Sequence, residues 1–369
     1  MIYLDNAATS FLKPPSVARA VYDSFGQVGN AARGINQMSL AAERIVYGTR
    51  QIVAEMFQSS PKQVAFSSGS TESLNLLIQG FVDPQDHVIT TVMEHNSVLR
   101  PLYRIGCDID YIGLMPDGTL DKANRDQLIK HNTTCLIITH AANLTGVIND
   151  LSDWGEWCDR HGIEFFVDAS QSAGVLPIRM ADMKISALAF TGHKGLFGSQ
   201  GTGGLIVKQG LDIRPLKVGG SGIATFDKEH PGQMPTRLEA GTLNIHGLAG
   251  LKAGLEFILA TGIDRIHAKE LQLRTRFLEG LDDLPVILYG VGPPSVGIVA
   301  LNVEGEDSAL IGGYLSDEGI LIRTGGHCAP LHHEAFGTVE QGMLRFSFSY
   351  FNTEQEIDKA IGALRNIII

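Results

Sequence analysis

The sequence predicts an α/β fold in which a mostly parallel central sheet is followed by a smaller α+β domain. Three observations carry that reading. From about residue 60 to 210, short apolar runs alternate with helical patterns, as strands joined by crossover helices do. After the long Gly- and Pro-rich stretch and two helical patterns, the strands and helices from about residue 285 read as a second, α+β unit. The 369 residues also exceed what one core ordinarily serves, so two lobes are expected.

In chain order, apolar runs predict strands over 63–66, 87–92, 108–112, 135–139, 163–167, 187–190 and 204–207. Between them, patterns of helical period predict helices over 72–80, 97–105, 120–131 and 151–161. The stretch 219–235 is rich in Gly and Pro and predicts a long loop. Helices are expected over 247–259 and 264–281. Strands are then expected over 296–303, 320–322 and 343–348, with helices over 307–316 and 353–367. The expected organisation is an N-terminal segment 1–14 packed with the small domain, a large domain 15–250 and a small domain 251–369.

Composition narrows the function classes. A net charge of −11 without a Lys/Arg run argues against a nucleic-acid surface. No apolar stretch reaches the length of a membrane span, and the N-terminus lacks a basic region followed by an apolar core. Four cysteines, at 107, 135, 158 and 328, stand far apart with no Cys-x-x-Cys pair, so reduced thiols and a cytoplasmic location are expected. Cys135 and Cys158 fall in apolar patterns and are expected to be packing residues.

Lys194 carries the chemistry. It lies in Thr191-Gly192-His193-Lys194-Gly195, after a predicted buried strand, where desolvation turns an ammonium into a usable amine of the Schiff-base type. Asp168 ends the neighbouring strand in Val167-Asp168-Ala169-Ser170-Gln171. An acid and a lysine at adjacent strand ends suit pyridoxal phosphate (PLP), one facing the ring nitrogen and the other the aldehyde. The alternative is a solvated loop lysine. Ser67-Ser68-Gly69-Ser70-Thr71-Glu72 closes a strand and opens a helix, so it is either an anion site or a plain N-cap. Walker and Rossmann loops are excluded: Gly195 follows Lys194, and Gly290-Val291-Gly292 runs into two prolines.

The last motif is Arg323-Thr324-Gly325-Gly326-His327-Cys328-Ala329-Pro330, followed by His332 and His333. Glycines there free the backbone, and neighbouring cations are expected to lower the thiol pKa, as nucleophilic sulfur chemistry requires. A zinc site on Cys328, His332 and His333 lacks a fourth ligand at recognisable spacing, so no metal is expected.

Together these motifs resemble the class V aminotransferase superfamily, and within it the cysteine desulfurases, nearly end to end. The Cys328 segment resembles the group II pattern. The resemblance implies a PLP-dependent transferase type I fold, aspartate-aminotransferase-like, as a homodimer. It implies Lys194 as the PLP lysine, Asp168 at the pyridine nitrogen, Gln171 at the phenolic oxygen and His95 stacked on the ring. Ser70, Thr71, Thr191 and His193 would hold the phosphate, with Thr242 reaching that of the other subunit. Asn143, Arg323 and Arg345 would bind the substrate carboxylate, and Cys328 would take the sulfur. L-cysteine is the implied substrate, converted to L-alanine with a persulfide passed to an acceptor protein. Selenocysteine lyase acting on L-selenocysteine, another class V reaction such as transamination, and a non-catalytic scaffold are the alternatives. Ala32 and Asn36 stand where group II members carry histidines around Arg33-Gly34-Ile35, and Gly326 replaces a frequent histidine.

Overall fold

The structure is a computed structural model describing residues 1–31 and 36–368. The departure at Ala32 therefore lies outside the described residues, whereas Asn36 caps a helix by accepting from the Ser39 amide at 2.9 Å. The chain opens with β1 (Ile2–Tyr3), α1 (Pro15–Gln27) and α2 (Gln37–Met56). The alternating region follows as β2 (Val64–Ser67), α3 (Ser70–Phe81), β3 (His87–Thr91), α4 (Asn96–Ile105) and β4 (Asp108–Ile112). It continues through β5 (Thr133–Thr139), α5 (Leu151–His161), β6 (Glu164–Asp168), β7 (Ala187–Thr191) and β8 (Gly203–Val207).

These strands form one sheet in the order β2-β8-β7-β6-β5-β3-β4. Only β8 runs antiparallel to its neighbours. Side chains of a strand alternate between faces, and both faces are packed. Leu136, Ile138, Phe165 and Val167 join Trp154 and Leu251 in one core, while Ile137 and Phe166 join Leu74 and Leu102 in another. Gly203, at the start of β8, lies where a Cβ would come within 2.6 Å of Gly69 Cα. Only glycine lets β8 lie that close to the turn entering α3.

The remainder comprises α6 (Ile245–Thr261), α7 (Ile263–Glu279), β9 (Val286–Tyr289), β10 (Ile298–Val303), α8 (Ser308–Asp317) and β11 (Ile320–Leu321). It ends with β12 (Arg323–Gly325), α9 (Pro330–Phe336), β13 (Met343–Ser347) and α10 (Glu354–Ile368). The second sheet is antiparallel, in the order β12-β13-β10-β9. Its core unites Leu273, Phe277, Leu301, Leu344, Phe346 and Leu364, and Leu4 joins it because β1 pairs with β11. The boundary expected at residue 250 falls inside α6, whose Leu251, Leu255 and Ile258 pack with the large sheet. We propose a boundary within α7, whose Ile266 faces the large core and whose Leu273 and Phe277 lie in the small one.

One expectation needs correction. No helix spans 120–131; a 3-10 turn, Arg125–Leu128, stands there instead. Asp121 accepts from the Ala123 amide at 2.8 Å, and Asp126 accepts from Trp157 Nε1 at 2.6 Å. Side-chain bonds of that kind compete with helical ones. The pattern reading also passed over α1 and α2, and no helix bridges β6 and β7. The loop 219–235 is free of helix and strand, as its glycines and prolines imply. Among the described residues no helix is long and apolar enough to cross a membrane.

Candidate active site

The carboxyl ends of the parallel strands converge on one crevice, where such sheets bind ligands. After β2, Gly69 takes φ +152° and α3 begins at Ser70. Its first-turn amides at Ser70, Thr71 and Glu72 find no backbone acceptor among the described residues. Unpaired amides at the positive end of a helix form an anion site. Thr71 Oγ1 lies 2.8 Å from Ser97 Oγ, tying α3 to α4. After β3, His95 caps α4, and its Nδ1 accepts from the Ser97 amide at 3.0 Å. That bond leaves the proton of the neutral ring on Nε2.

Asp168 ends β6, buried, and its Oδ1 accepts from the Ser170 amide at 2.9 Å and from the Ser170 hydroxyl. Its other oxygen makes no hydrogen bond among the described residues. Gln171 Nε2 donates to the Ala7 carbonyl at 3.0 Å. Thr191 ends β7, and Lys194 follows three residues later. Across the crevice, Arg323 and Arg345 are register partners on β12 and β13. Arg345 is only 2% exposed; its Nη1 donates to the Asn143 carbonyl and its Nη2 to Asp5, each at 2.8 Å.

A cavity of about 200 Å³ gathers Ser70, Thr71, His95, Asn143, Asp168, Gln171, His193, Lys194, Arg323 and Arg345, which are ten of the residues singled out above. Burial pushes the Lys194 ammonium down to about 8; Asp168 opposes this, while Arg345 and Arg323 reinforce it. His95 is lowered chiefly by burial, and burial with Lys194 and Lys13 nearby takes His193 to about 4. Both rings are neutral at pH 7. Beneath the crevice, Glu94 is fully buried, and burial raises it to about 8.

Three expected residues lie outside this cavity. Thr191 is buried beside Gly69, where its Oγ1 would sit 3.4 Å from a glycine Cβ. Thr242 lines two other clefts, one with Arg50 and Glu239 and one with Glu72 and Lys217. Cys328 is exposed, unlike Cys135 and Cys158, which are buried as expected.

The Cys328 segment has unusual backbone. His327 at φ 49° and Cys328 at φ 58° are consecutive left-handed residues. Each such residue costs about 1–3 kcal/mol unless its surroundings hold it. Here the Asn143 amide Nδ2 donates to the His327 carbonyl at 2.7 Å, and the Asn96 amide to the Cys328 carbonyl at 2.8 Å. The flanking histidines do not supply the positive charge expected from the sequence. His327, His332 and His333 are all buried, and burial takes His327 and His332 down to about 3. They are neutral at pH 7, which leaves Arg323 as the cation of the segment.

Sequence reasoning did not assign roles to Asp5, Ser170, His327 or the Ala7 carbonyl. Asp5 is the most consequential of them. A buried arginine needs an anionic partner, and Asp5 supplies it from 340 residues away in the sequence.

A family model described as aminotransferase class-V matches residues 2–360. The chain belongs to the class-V aminotransferase family. A cysteine desulfurase of Escherichia coli is 33% identical over 386 residues, covering 100% of this chain and 93% of that protein. A Pyrococcus abyssi protein named "Probable cysteine desulfurase" is 32% identical, covering 100% and 94%. Among solved structures, an apo cysteine desulfurase from Thermococcus onnurineus superposes with a TM-score of 0.93 at 31% identity, covering 100% of this chain and 94% of that one. This member of the family has the type I fold of PLP-dependent transferases that the resemblance implied.

Proposed function

We propose that this class-V family member is a PLP-dependent cysteine desulfurase that converts L-cysteine to L-alanine and leaves the sulfur as a persulfide on Cys328. The observation that carries the reading is the shared cavity of Lys194, Asp168 and Arg345, with the exposed Cys328 segment tied to its rim by Asn143. The full-length relatives named cysteine desulfurase support it.

The residues present fit the cofactor. Among the described residues, the Lys194 amine and one Asp168 oxygen make no hydrogen bond and the first α3 amides find no backbone acceptor; these would meet an aldehyde, a pyridine nitrogen and a phosphate respectively. Lys194 would carry PLP, Asp168 would face the ring nitrogen and Gln171 the phenolic oxygen. His95 would lie against the ring, and Ser70, Thr71, Thr191 and His193 would hold the phosphate. PLP, when bound, supplies the electron sink for bond breaking next to the amino group of an amino acid.

The protein's own groups do the rest. Lys194, with its lowered pKa, accepts the Cα proton of the substrate and can return one. Asp5 and the Asn143 carbonyl take two of the five Arg345 donors. The others, with Arg323 and Asn143, are available to the substrate carboxylate. The Cys328 thiolate attacks the substrate sulfur: an S–S bond forms, the C–S bond breaks, and the carbon takes up a proton to complete alanine. Exposure of Cys328 lets an acceptor protein collect the persulfide. The position of Thr242 outside the Lys194 cavity supports a homodimer in which it serves the partner's phosphate.

The test is direct. Purified protein supplied with PLP and L-cysteine should form alanine and, with a reductant, sulfide in equal amounts. Alanine without sulfide, or neither product, would overturn the reading.

A further inference from the structure

Asn143 touches both halves of the site. Its backbone carbonyl accepts from Arg345, and its side chain donates to the His327 carbonyl at 2.7 Å. The residue is only 8% exposed, and the bond sets the orientation of its amide, since the flipped form would bring two oxygens together. The peptide it grips joins the two consecutive left-handed residues His327 and Cys328. Gly325 and Gly326 precede them, and a Cβ at either would meet nothing within 4 Å. Gly325 pairs with Met343 and the buried His327 ring stacks on His333, but neither contact bonds the carbonyl of the His327–Cys328 peptide, which Asn143 alone among the described side chains does. The Asn96 amide on the Cys328 carbonyl is a backbone bond that side-chain substitution leaves in place.

We propose that Asn143 is a positioning residue for the Cys328 thiol, holding the sulfur-accepting segment through the His327 carbonyl. The proposal rests on the desulfurase reading for its functional meaning but not for its structural content. It assigns Asn143 a role beyond contact with a substrate carboxylate: the thiol keeps its place because a side chain of the large lobe clamps a backbone of the small one.

Two variants test it. Asn143→Ala removes the donor, and Asn143→Asp keeps the shape while turning an oxygen toward the carbonyl. The first measurement is amide hydrogen exchange in protein without substrate, comparing a peptide covering 324–331 with one covering β6. Both variants should speed exchange in the first peptide roughly tenfold, the factor carried by one buried hydrogen bond, and leave the β6 peptide unchanged. Equal acceleration in both peptides, or in neither, overturns the clamp. The second measurement is single-turnover persulfide formation on Cys328 at saturating L-cysteine, where weaker substrate binding no longer limits the rate. The clamp predicts a loss of about tenfold or more in that rate. An unchanged rate overturns the positioning role even if exchange is faster. Local exchange that rises in protein making no persulfide at all would uphold the clamp and sink the desulfurase reading instead.

Discussion

The sheet end that carries Lys194 and the segment that carries Cys328 are built in different ways. Lys194 follows β7, whose five residues are all buried; Thr191 and Asp168 are the buried last residues of β7 and β6, and His95 caps α4 just after the buried strand β3. Cys328 stands exposed on two left-handed residues between a three-residue strand and a short helix, held by hydrogen bonds from α4 and Asn143. The contrast matches two tasks. Proton transfer at a cofactor needs groups that do not move, and rigid strand ends supply them. A sulfur atom that must reach another protein needs an accessible carrier, and a held but exposed segment supplies that.

If the division is real, the two regions can be broken separately. The largest effect is expected from Lys194→Ala, which removes the proton-moving amine and the cofactor's attachment point. Turnover should fall by about 10²–10⁴-fold or more. Borohydride treatment of the PLP-loaded wild type should leave a label on Lys194, found by peptide mass spectrometry. A label on another lysine would contradict the assignment. Cys328→Ser should take sulfide release from L-cysteine to background yet leave PLP binding and its absorbance intact. Loss of the cofactor in that variant would mean that the two regions are not independent.

A smaller effect is expected at the groove between them. Arg345→Lys keeps the charge and loses the planar fork. Losing about 1.5–3 kcal/mol of charged hydrogen bonding should raise KM for cysteine roughly 10- to 100-fold. Because Arg345 is buried against Asp5, thermal stability should be measured alongside.

The smallest effects are in stability, and the two regions should respond to pH in opposite directions. His327 and His332 are held near 3, below the usual histidine value, so between pH 6.5 and 3 the unfolded chain binds more protons. Their contribution is complete above pH 6.5 and is lost on acidification, by up to about 1.4 kcal/mol per pH unit for each. Glu94, raised to about 8, keeps its proton when folded, so its contribution is complete below pH 4.5 and is lost as pH rises to 8. Urea unfolding between pH 4 and 8 should show His332→Leu flattening the acid limb and Glu94→Gln the alkaline limb. The same limb flattened by both variants would contradict this assignment of charges.

Much of the sheet end was legible in the sequence because short-range signals specify it. Apolar runs give β3 to β8 to within two residues, and polar residues past β3, β5, β6 and β7, among them His95, Asn143, Ser170 and Lys194, become crevice residues. The fold's first 60 residues were harder. Helices α1 and α2 leave Tyr22, Phe25, Met38 and Tyr47 exposed, so their apolar patterns do not single out one buried face. The 120–131 segment has helical spacing, but side-chain caps and a tryptophan bond from α5 hold it in turns. In the site, Lys194, Asp168 and Cys328 stand in motifs that can be read locally. The Asp5–Arg345 pair and the Asn143–His327 bond join residues 340 and 184 positions apart, and only folding brings them together. The neutrality of His327 and His332 was equally hidden, since it follows from burial and not from composition.

The central claim is that the buried region performs the chemistry while Cys328 takes the sulfur. Mass spectrometry of the protein after one turnover with L-cysteine, without reductant, tests it most directly. The account predicts one added sulfur on the peptide containing Cys328 and none on those containing Cys107, Cys135 or Cys158. Alanine formed in stoichiometric amount with no sulfur on Cys328, or with the sulfur on another cysteine, would contradict it.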